Sequence, residues 1–220
     1  MNDTRPLYER YRPQVLGEVI GQAAAVRALE LIGSTSGHGG RAYWITGASG
    51  TGKTTLARII AGEVADPAWV TEYDSADEVT AVVLRQLSDD LHLYGGGERG
   101  GRAWIINEAH GLRKPIIRQL LGILERLPAH VVIIFTTTRA GEQDLFEDQI
   151  DANPLLSRCV ELALTNQGLA KLFAERTREI AIAESRNGRP LADYVKRVQL
   201  RKNNMRFVLE DVEAGKMLAE

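Results

Sequence analysis

The chain has 220 residues, of which 44% are hydrophobic and 25% charged, an ordinary composition for a globular protein with one sizeable core. Its formal net charge of −2 neither requires nor excludes a nucleic-acid partner. The single cysteine, Cys159, excludes an internal disulfide and a multi-cysteine zinc site, and no apolar run approaches the roughly 18 residues of a membrane span. The polar N-terminus is not typical of a secretory signal, so we expect a cytoplasmic protein without a membrane partner.

Short apolar runs alternate with amphipathic stretches over the first three quarters of the chain. The predicted strands are Ala42–Thr46, Trp69–Tyr73, Arg102–Ile106, Val131–Thr136 and Cys159–Leu162. The predicted helices between them are Lys53–Glu63, Glu78–Leu91 and Pro115–Leu127. This alternation predicts an α/β fold, with a five-stranded parallel sheet flanked by helices.

The pattern changes after Thr165, where no further strand is predicted. The helices predicted there are Gln167–Ser185, Leu191–Leu200 and Asn204–Leu218. We therefore predict two domains, an α/β domain over residues 1–164 and a small all-α lid domain over residues 165–220.

The segment between the first strand and the first helix fits G-x-x-x-x-G-K-[ST], the pattern of a phosphate-binding loop. Its glycines let backbone N–H groups turn toward phosphates, and the helix N-terminus adds the positive end of its dipole. Lys53 can reach the β- and γ-phosphates, and the Thr54 hydroxyl can hold Mg²⁺, so ATP and Mg²⁺ are the predicted cofactors. The residues predicted to surround the phosphates are Gly47, Ala48, Ser49, Gly50, Thr51, Gly52, Lys53, Thr54 and Thr55.

The third strand ends at Asn107 and Glu108, where the matching strand of P-loop ATPases usually ends in Asp-Glu. The glutamate orients the attacking water, and the residue before it supports Mg²⁺ through bound waters. Asn107 can accept a hydrogen bond from such a water, but it carries no negative charge. We predict an ATPase with Glu108 and Lys53 as catalytic residues and a rate that Asn107 lowers. The alternative is a glutamate that merely ends a strand.

The fourth strand leads into three consecutive threonines, Thr136, Thr137 and Thr138. A polar side chain at this point can sense the γ-phosphate from the neighbouring strand. We assign that role to Thr138, although threonines are also common at strand ends.

Six segments spread over most of the chain resemble the motifs of one protein family. They are Leu7–Pro13, Val19–Gln22, Asn107–His110, Leu120–Glu125, Ser157–Cys159 and Asn204–Arg206. Together they resemble AAA+ ATPases of the clamp-loader group, namely the small subunits of replication factor C and the bacterial gamma/tau and delta-prime subunits. The Ser-Arg-Cys segment combined with the N-terminal segment is far more specific than the phosphate loop alone.

The resemblance implies further roles. Tyr8, Val19 and Ile20 would lie near the adenine. Arg158 would act in trans, reaching the ATP of a neighbouring subunit, and Arg206 would contact the γ-phosphate of its own ATP. The resemblance also implies a homo- or hetero-oligomeric ring with a sliding clamp and duplex or primed DNA as partners.

The chain departs from the family pattern at several points. Asn107 replaces the usual aspartate, and Thr138 stands where the family often has asparagine. With one cysteine we expect no zinc module of the gamma/tau kind, and we expect no collar domain within these 220 residues. The acidic stretch Gly141–Asp151 is longer than expected, and it would repel DNA, bind a basic partner or form a solvated loop.

Basic residues concentrate in the predicted lid domain. We expect them to contact backbone phosphates of DNA without reading its sequence, and a charged, solvated face is the alternative. They are Lys171, Arg176, Arg178, Arg186, Arg189, Lys196, Arg197, Arg201 and Lys202.

The favoured function is an ATP-driven assembly switch of the clamp-loader type, in which ATP closes subunits through Arg158 and hydrolysis loosens them. Two alternatives stay open. One is a module that binds ATP as a structural ligand with little hydrolysis, which Asn107 favours. The other is an AAA+ ATPase acting on another DNA-repair, phage or mobile-element target, which the missing collar favours.

Overall fold

The computed structural model of the protein describes residues 4–138 and 152–219, so the acidic stretch Gly141–Asp151 lies outside the described residues. One sheet runs through the first part of the chain, and all its strand pairs are parallel. The strands are β1 (Arg41–Thr46), β2 (Val70–Tyr73), β3 (Arg102–Ile106), β4 (Val131–Thr137) and β5 (Cys159–Ala163). Their order, β2-β3-β4-β1-β5, confirms the predicted five-stranded parallel sheet.

Helices precede the sheet, connect its strands and follow it. In the described ranges the α-helices are α1 (Leu7–Arg10), α2 (Ala23–Thr35), α3 (Lys53–Val64), α4 (Ala81–Asp90), α5 (Lys114–Leu124), α6 (Ala152–Leu156), α7 (Ala170–Ala183), α8 (Leu191–Leu200) and α9 (Met205–Glu213). The strands lie within one residue of their predicted bounds. Three helices, α1, α2 and α6, were not predicted.

The side chains of β4 alternate between the two faces of the sheet, as the pleat of a strand requires. Val131, Ile133 and Phe135 join a buried cluster that α4 and α5 cover, whereas Val132 and Ile134 join one that α2 and α3 cover. All seven residues of β4 are buried, which is typical of a central parallel strand covered on both sides.

A third buried cluster holds α7, α8 and α9 together around Phe173, Tyr194 and Val208. The N-terminal helix α1 belongs to this cluster, because Leu7 is buried within it. The backbone N–H of Leu7 also donates a hydrogen bond of 2.8 Å to Glu213 Oε1 in α9. The start of the chain is therefore anchored on the C-terminal helices.

Asp211 in α9 is a buried carboxylate that ties two helix ends together. Arg201, at the end of α8, donates two hydrogen bonds to it at 2.7 and 2.6 Å, and Lys216 donates one at 2.6 Å. Arg197 lies 3.7 Å away. These cations, Arg201 first, hold the pKa of Asp211 at about 2, against an ordinary value of 3.8, although burial opposes the shift.

Because its folded-state pKa is depressed, Asp211 contributes stability that is present above pH 3.8 and is lost as the pH falls toward 2. We expect Asp211→Asn to lower the free energy of unfolding by about 2 kcal/mol at pH 7. Urea unfolding at pH 7, 4 and 2.5 measures this difference, which should shrink at the lowest pH.

The matched control is Asp193→Asn, since the Asp193 side chain is 34% exposed and lies 3.6 Å from Lys196. An exposed pair of this kind contributes roughly 0–1 kcal/mol. A deficit for Asp211→Asn that stays constant down to pH 2.5 would assign its effect to packing rather than charge.

Candidate nucleotide-binding site

A cleft opens at the carboxyl ends of the strands, between the α/β part and the C-terminal helices. Strands β1 and β4 are neighbours, and the chain leaves them toward opposite edges of the sheet, which is where open parallel sheets bind ligands. The space between the walls of the cleft is about 1110 Å³, a figure that includes open solvent at its mouth. All predicted cofactor-binding residues line it except Gly47 and Ala48.

The phosphate-binding loop is shaped by three glycines between β1 and α3. A Cβ on Gly47 would lie 2.8 Å from Thr51 Oγ1, and Gly50 and Gly52 have φ values of +77° and +102°, which favour glycine. The Thr51 hydroxyl closes the turn by donating a 2.8 Å hydrogen bond to the carbonyl of Ala48. Helix α3 begins directly after Gly52, which has no side chain to cap the first N–H groups, so they stay available for an anion.

Lys53 is the buried cation of the loop, with 8% of its surface exposed. Its ammonium donates hydrogen bonds of 3.0 Å to the carbonyls of both Gly47 and Ala48. Over the part of the chain that the structure describes, no carboxylate forms an ion pair with Lys53. Burial lowers the pKa of Lys53, and the charge of Glu108 partly opposes that shift. A buried ammonium held only by carbonyls suits an anionic ligand such as a phosphate.

The expected metal position lies where α3 meets the end of β3. The hydroxyls of Thr54 and Thr136 both donate to Asn107 Oδ1, at 3.3 and 2.8 Å. The described residues contain no group of three or more His, Cys, Asp or Glu side chains that could hold a metal by themselves. Mg²⁺ usually keeps several waters and takes one or two protein oxygens plus substrate phosphates, so Thr54 and Asn107 fit that mode.

Glu108 lines the cleft from the end of β3, and its side chain is 48% exposed. Its backbone has the left-handed conformation, with φ +50°, which is uncommon for a residue other than glycine. This conformation starts the short 3₁₀ turn Ala109–Gly111 and turns the chain abruptly after the strand. Glu108 thus lines the same cleft as the phosphate loop, and its role toward an attacking water stays a prediction.

The structure does not place Thr138 in the lining of the cleft. The two threonines before it contact the end of β3 instead, since Thr136 donates to Asn107 and Thr137 Oγ1 lies 3.1 Å from His110 Nδ1. The sensing role of Thr138 stays a prediction. Among the threonines of β4, Thr136 has the hydroxyl that contacts Asn107, at the expected metal position.

Arg158 lies away from the cleft of its own chain, on the turn between α6 and β5. Its guanidinium is bonded to the carboxylate of Glu125 at the end of α5, with an Nε–Oε1 distance of 3.2 Å, and to the carbonyl of Pro154 at 2.9 Å. The Arg158 guanidinium lowers the pKa of Glu125. A role in trans requires an arginine outside the chain's own site, and Arg158 meets that condition.

Arg206, near the start of α9, lines the cleft from the side of the C-terminal helices. Its guanidinium carbon lies 5.2 Å from the centre of the Tyr8 ring, within the range of a cation–π contact. Tyr8, Val19 and Ile20 line the same cleft. The residues expected to contact the adenine and the γ-phosphate therefore line one cleft. Their roles toward ATP stay predictions.

Sequence reasoning missed several residues in the cleft or bonded to its phosphate loop. Arg12 donates a 3.0 Å hydrogen bond to Thr55 Oγ1, and Gln22 donates to the carbonyls of Thr51 and Thr165, at 3.3 and 2.8 Å. Both lie inside the N-terminal segments that carry the family resemblance, which was the available signal. Arg176 and Phe173 of α7 also line the cleft, and only the tertiary structure reveals them.

Comparison with known proteins places the chain among relatives with this architecture. The chain is 29% identical over 201 residues to the replication factor C large subunit of Methanocella arvoryzae, covering 83% of this chain and 36% of that protein. It is 31% identical over 156 residues to the DNA polymerase III subunit gamma/tau of Mycobacterium bovis, covering 60% and 27%. No family model matches.

In structure, the chain is similar to RuvB of Thermotoga maritima, with a TM-score of 0.71 and 21% sequence identity. The match covers 92% of this chain and 64% of the RuvB chain. The chain resembles clamp-loader subunits and has the AAA+ P-loop fold. It spans only about a quarter to a third of the two curated relatives above. Among the described residues of this clamp-loader-like chain, no helix is both long and apolar enough to cross a membrane.

The phosphate loop contacts the start of α9 through Gly50, which generates a test. A Cβ on Gly50 would lie 2.2 Å from Oδ1 of Asn204, the buried N-cap of α9, and alanine would also resist the positive φ. We expect Gly50→Ala to cost about 2 kcal/mol of stability and to weaken nucleotide binding, because the cap and the loop must separate. Thermal unfolding and binding of a fluorescent ATP analogue measure both effects.

Gly122→Ala is the matched control, since Gly122 lies in α5 with no atom within 4 Å of a new Cβ. It should raise stability by about 1 kcal/mol through helix propensity and leave nucleotide binding unchanged. If Gly50→Ala bound the analogue as the original chain does, the contact between the loop and α9 would have no part in binding.

Proposed function

We propose that the chain binds ATP with Mg²⁺ in this cleft and hydrolyses it as a clamp-loader-like subunit that couples nucleotide state to ring assembly on DNA or a sliding clamp. The observation that carries the proposal is the meeting of three elements. A phosphate loop with a buried Lys53, the strand-end Glu108 and the Arg206 of the C-terminal helices all line one cleft. Each element comes from a different part of the chain.

The residues divide the expected chemistry between them. The loop N–H groups and Lys53 would bind the β- and γ-phosphates, and the Thr54 hydroxyl with Asn107 Oδ1 would hold the metal and its waters. Glu108 would orient the attacking water as it meets the γ-phosphate. Mg²⁺, when bound, supplies charge neutralisation at the phosphates.

Arg158 would complete the site of a neighbouring subunit. Its guanidinium carries five N–H donors, so it could turn toward the neighbouring phosphates while keeping or releasing Glu125. The exposed pair costs little to break, since ion pairs in water are weak. The Glu125 contact would therefore hold Arg158 in order before assembly without preventing its transfer.

Contact with DNA or a clamp is supported by the relatives, both of which are named as replication proteins. The basic residues of the C-terminal helices support it less directly, because many of them face acidic partners within the chain. Lys171, Arg176 and Lys196 have carboxylate oxygens at 3.9, 3.1 and 3.6 Å. We propose backbone phosphates as their target only within a ring, where several subunits add their charges.

A second candidate, ATP binding with little hydrolysis, is favoured by Asn107. Its Oδ1 already accepts two hydroxyl hydrogen bonds, and an amide adds no charge beside the metal. The two candidates predict the same affinity for ATP and differ in turnover.

Two substitutions separate binding from chemistry. Lys53→Ala should weaken ATP binding by about 100-fold, because it removes a charge-assisted hydrogen bond to phosphate. Glu108→Gln should keep the affinity and lower kcat by roughly 10²–10⁴-fold. Isothermal titration with ATP and a phosphate-release assay measure the two quantities.

The exposed Glu98 and Lys114 provide matched controls, and Glu98→Gln and Lys114→Ala should change neither quantity. Turnover that survives in Glu108→Gln would reject the role given to Glu108. An original chain that binds ATP and does not turn it over, alone or with primed DNA, would favour the second candidate.

Action of Arg158 in trans predicts complementation between two inactive variants. Arg158→Ala keeps its own ATP site, and Lys53→Ala keeps its Arg158, so mixing them should restore turnover in mixed assemblies. Each variant alone should turn over ATP at least 10³-fold more slowly than the original chain, the scale of an arginine finger. The phosphate-release rate against the mixing ratio measures this, with the exposed Arg126→Ala as the control.

If the phosphate-release rate of each mixture equals the sum of the rates of its two variants measured separately, Arg158 does not act across subunits of this chain.

A further inference from the structure

The side chain of Asn107 is hydrogen-bonded on both of its ends. Its Oδ1 accepts from the hydroxyls of Thr54 and Thr136, and its Nδ2 donates to Glu72 Oε1 at 3.0 Å and to the carbonyl of Tyr73 at 3.2 Å. Asn107 is also buried, with 7% of its surface exposed. Donors face its oxygen and acceptors face its nitrogen, so the network allows one orientation of the amide.

Glu72 is placed beside Asn107 by the sheet itself. Strand β2 pairs with β3 so that Glu72 lies opposite Ile105, two residues before Asn107. Arg58 of α3 holds the other side of the carboxylate, with an Nε–Oε2 distance of 2.8 Å, and this hydrogen bond raises the pKa of Arg58. The Glu72 side chain is 20% exposed and has two partners, one from each neighbouring element.

We propose that Glu72 is a positioning residue for the metal region of the nucleotide site, acting through Asn107. Glu72 holds Nδ2, and Asn107 Oδ1 therefore faces the Thr54 hydroxyl. Glu72 also supplies, next to the amide, the negative charge that position 107 lacks. The proposal rests on the function proposed above, since it concerns the site where Mg²⁺ and ATP would bind.

The orientation matters because of the proton of Thr54. When Oδ1 faces Thr54, the hydroxyl gives its proton to the amide and keeps its lone pairs for a cation. A reversed amide would present N–H donors there, so the hydroxyl would have to accept a hydrogen bond and would lose a lone pair. Partners that orient a ligating group commonly change metal affinity by roughly 10–100-fold when they are removed.

The effect of removing Glu72 on metal-dependent binding should therefore depend on which residue stands at position 107. With Asn107 present, Glu72 is needed to orient the amide and to supply charge. With Asn107→Asp, the carboxylate carries its own charge and has no N–H group to donate, so Glu72 loses both tasks. Glu72 Oε1 lies 3.0 Å from the present amide nitrogen, so it would instead repel the new carboxylate. A purely structural role of Glu72, through Arg58, would be the same in both backgrounds.

The test measures the Mg²⁺-dependent gain in affinity for a fluorescent ATP analogue, the ratio of its Kd in EDTA to its Kd in Mg²⁺. We expect Glu72→Ala to reduce this ratio about 10-fold in the original chain, and to leave it unchanged or raise it in the Asn107→Asp background, where a repulsive charge is removed. An equal reduction in both backgrounds, or no reduction in the original chain, would overturn the inference.

Two further variants keep the result interpretable. Glu63→Ala removes another carboxylate that is paired with an arginine, since Glu63 lies 3.4 Å from Arg99. Glu63 is far from Asn107 in the sequence and lies on the exposed side of α3, so its removal should leave the ratio unchanged. Glu72→Gln keeps the size of the side chain and serves if Glu72→Ala unfolds. It should still reduce the ratio in the original chain, because the charge is lost, and should not reduce it with Asn107→Asp. An equal reduction in both backgrounds, or none in the original chain, would overturn the inference.

Failure of the inference and failure of the proposed function give different results. An original chain that binds the analogue equally in EDTA and in Mg²⁺, or not at all, contradicts the proposed nucleotide site, and the role of Glu72 falls with it. A strong Mg²⁺ dependence that Glu72→Ala leaves intact keeps the proposed function and overturns the role of Glu72 alone.

Discussion

The parallel alignment of β1, β3 and β4 is the constraint on which the candidate site depends. Because all three strands run in one direction, the phosphate loop, the Asn107–Glu108 pair and the threonines at the end of β4 all lie at one edge of the sheet. The hydrogen bonds from Thr54 and Thr136 to Asn107 are the direct result, since each joins a different strand end. An antiparallel neighbour would have placed one of these groups about a strand length away, at the opposite edge.

The second feature of the site is that both ends of the chain help to enclose it. Helix α1 packs into the cluster of the C-terminal helices, and the residues that follow it line the cleft before the chain enters the sheet. Gln22 then links Thr51 of the phosphate loop to Thr165, where the strands end and the helices begin. A ligand on the loop would therefore contact groups from both the α/β part and the C-terminal helices, and such shared contacts are required for coupling binding to a change of shape.

The charged groups near the site are arranged in pairs that leave its floor nearly free of carboxylates. Glu72 is shared by Arg58 and Asn107, and Arg158 is held by Glu125 on the outer surface. Lys53 keeps only carbonyl partners, and Glu108 and Glu18 are exposed carboxylates in the lining of the cleft. A polyanionic ligand on the loop would therefore meet a cation and N–H groups.

The sequence by itself determined the features that depend on neighbours along the chain. Alternation of apolar runs located all five strands within one residue, because a buried parallel strand is a short continuous apolar segment whatever surrounds it. The phosphate-binding loop from Gly47 to Thr54 was also predicted from the sequence, because its turn and the start of the next helix depend on residues that are neighbours along the chain. Helix α2 was missed although it is 13 residues long, and the sequence before β1 was used only for its family resemblance.

Only the tertiary structure decided which distant residues meet. It placed Thr136 rather than Thr138 against Asn107, brought Glu72 to the amide, and put Arg12 and Arg176 beside the loop. These contacts depend on strand order, on register and on how helices close over the sheet, none of which a local pattern encodes. Spacing along the chain fixes which groups a segment carries, whereas packing across the sheet fixes which groups come within hydrogen-bond distance.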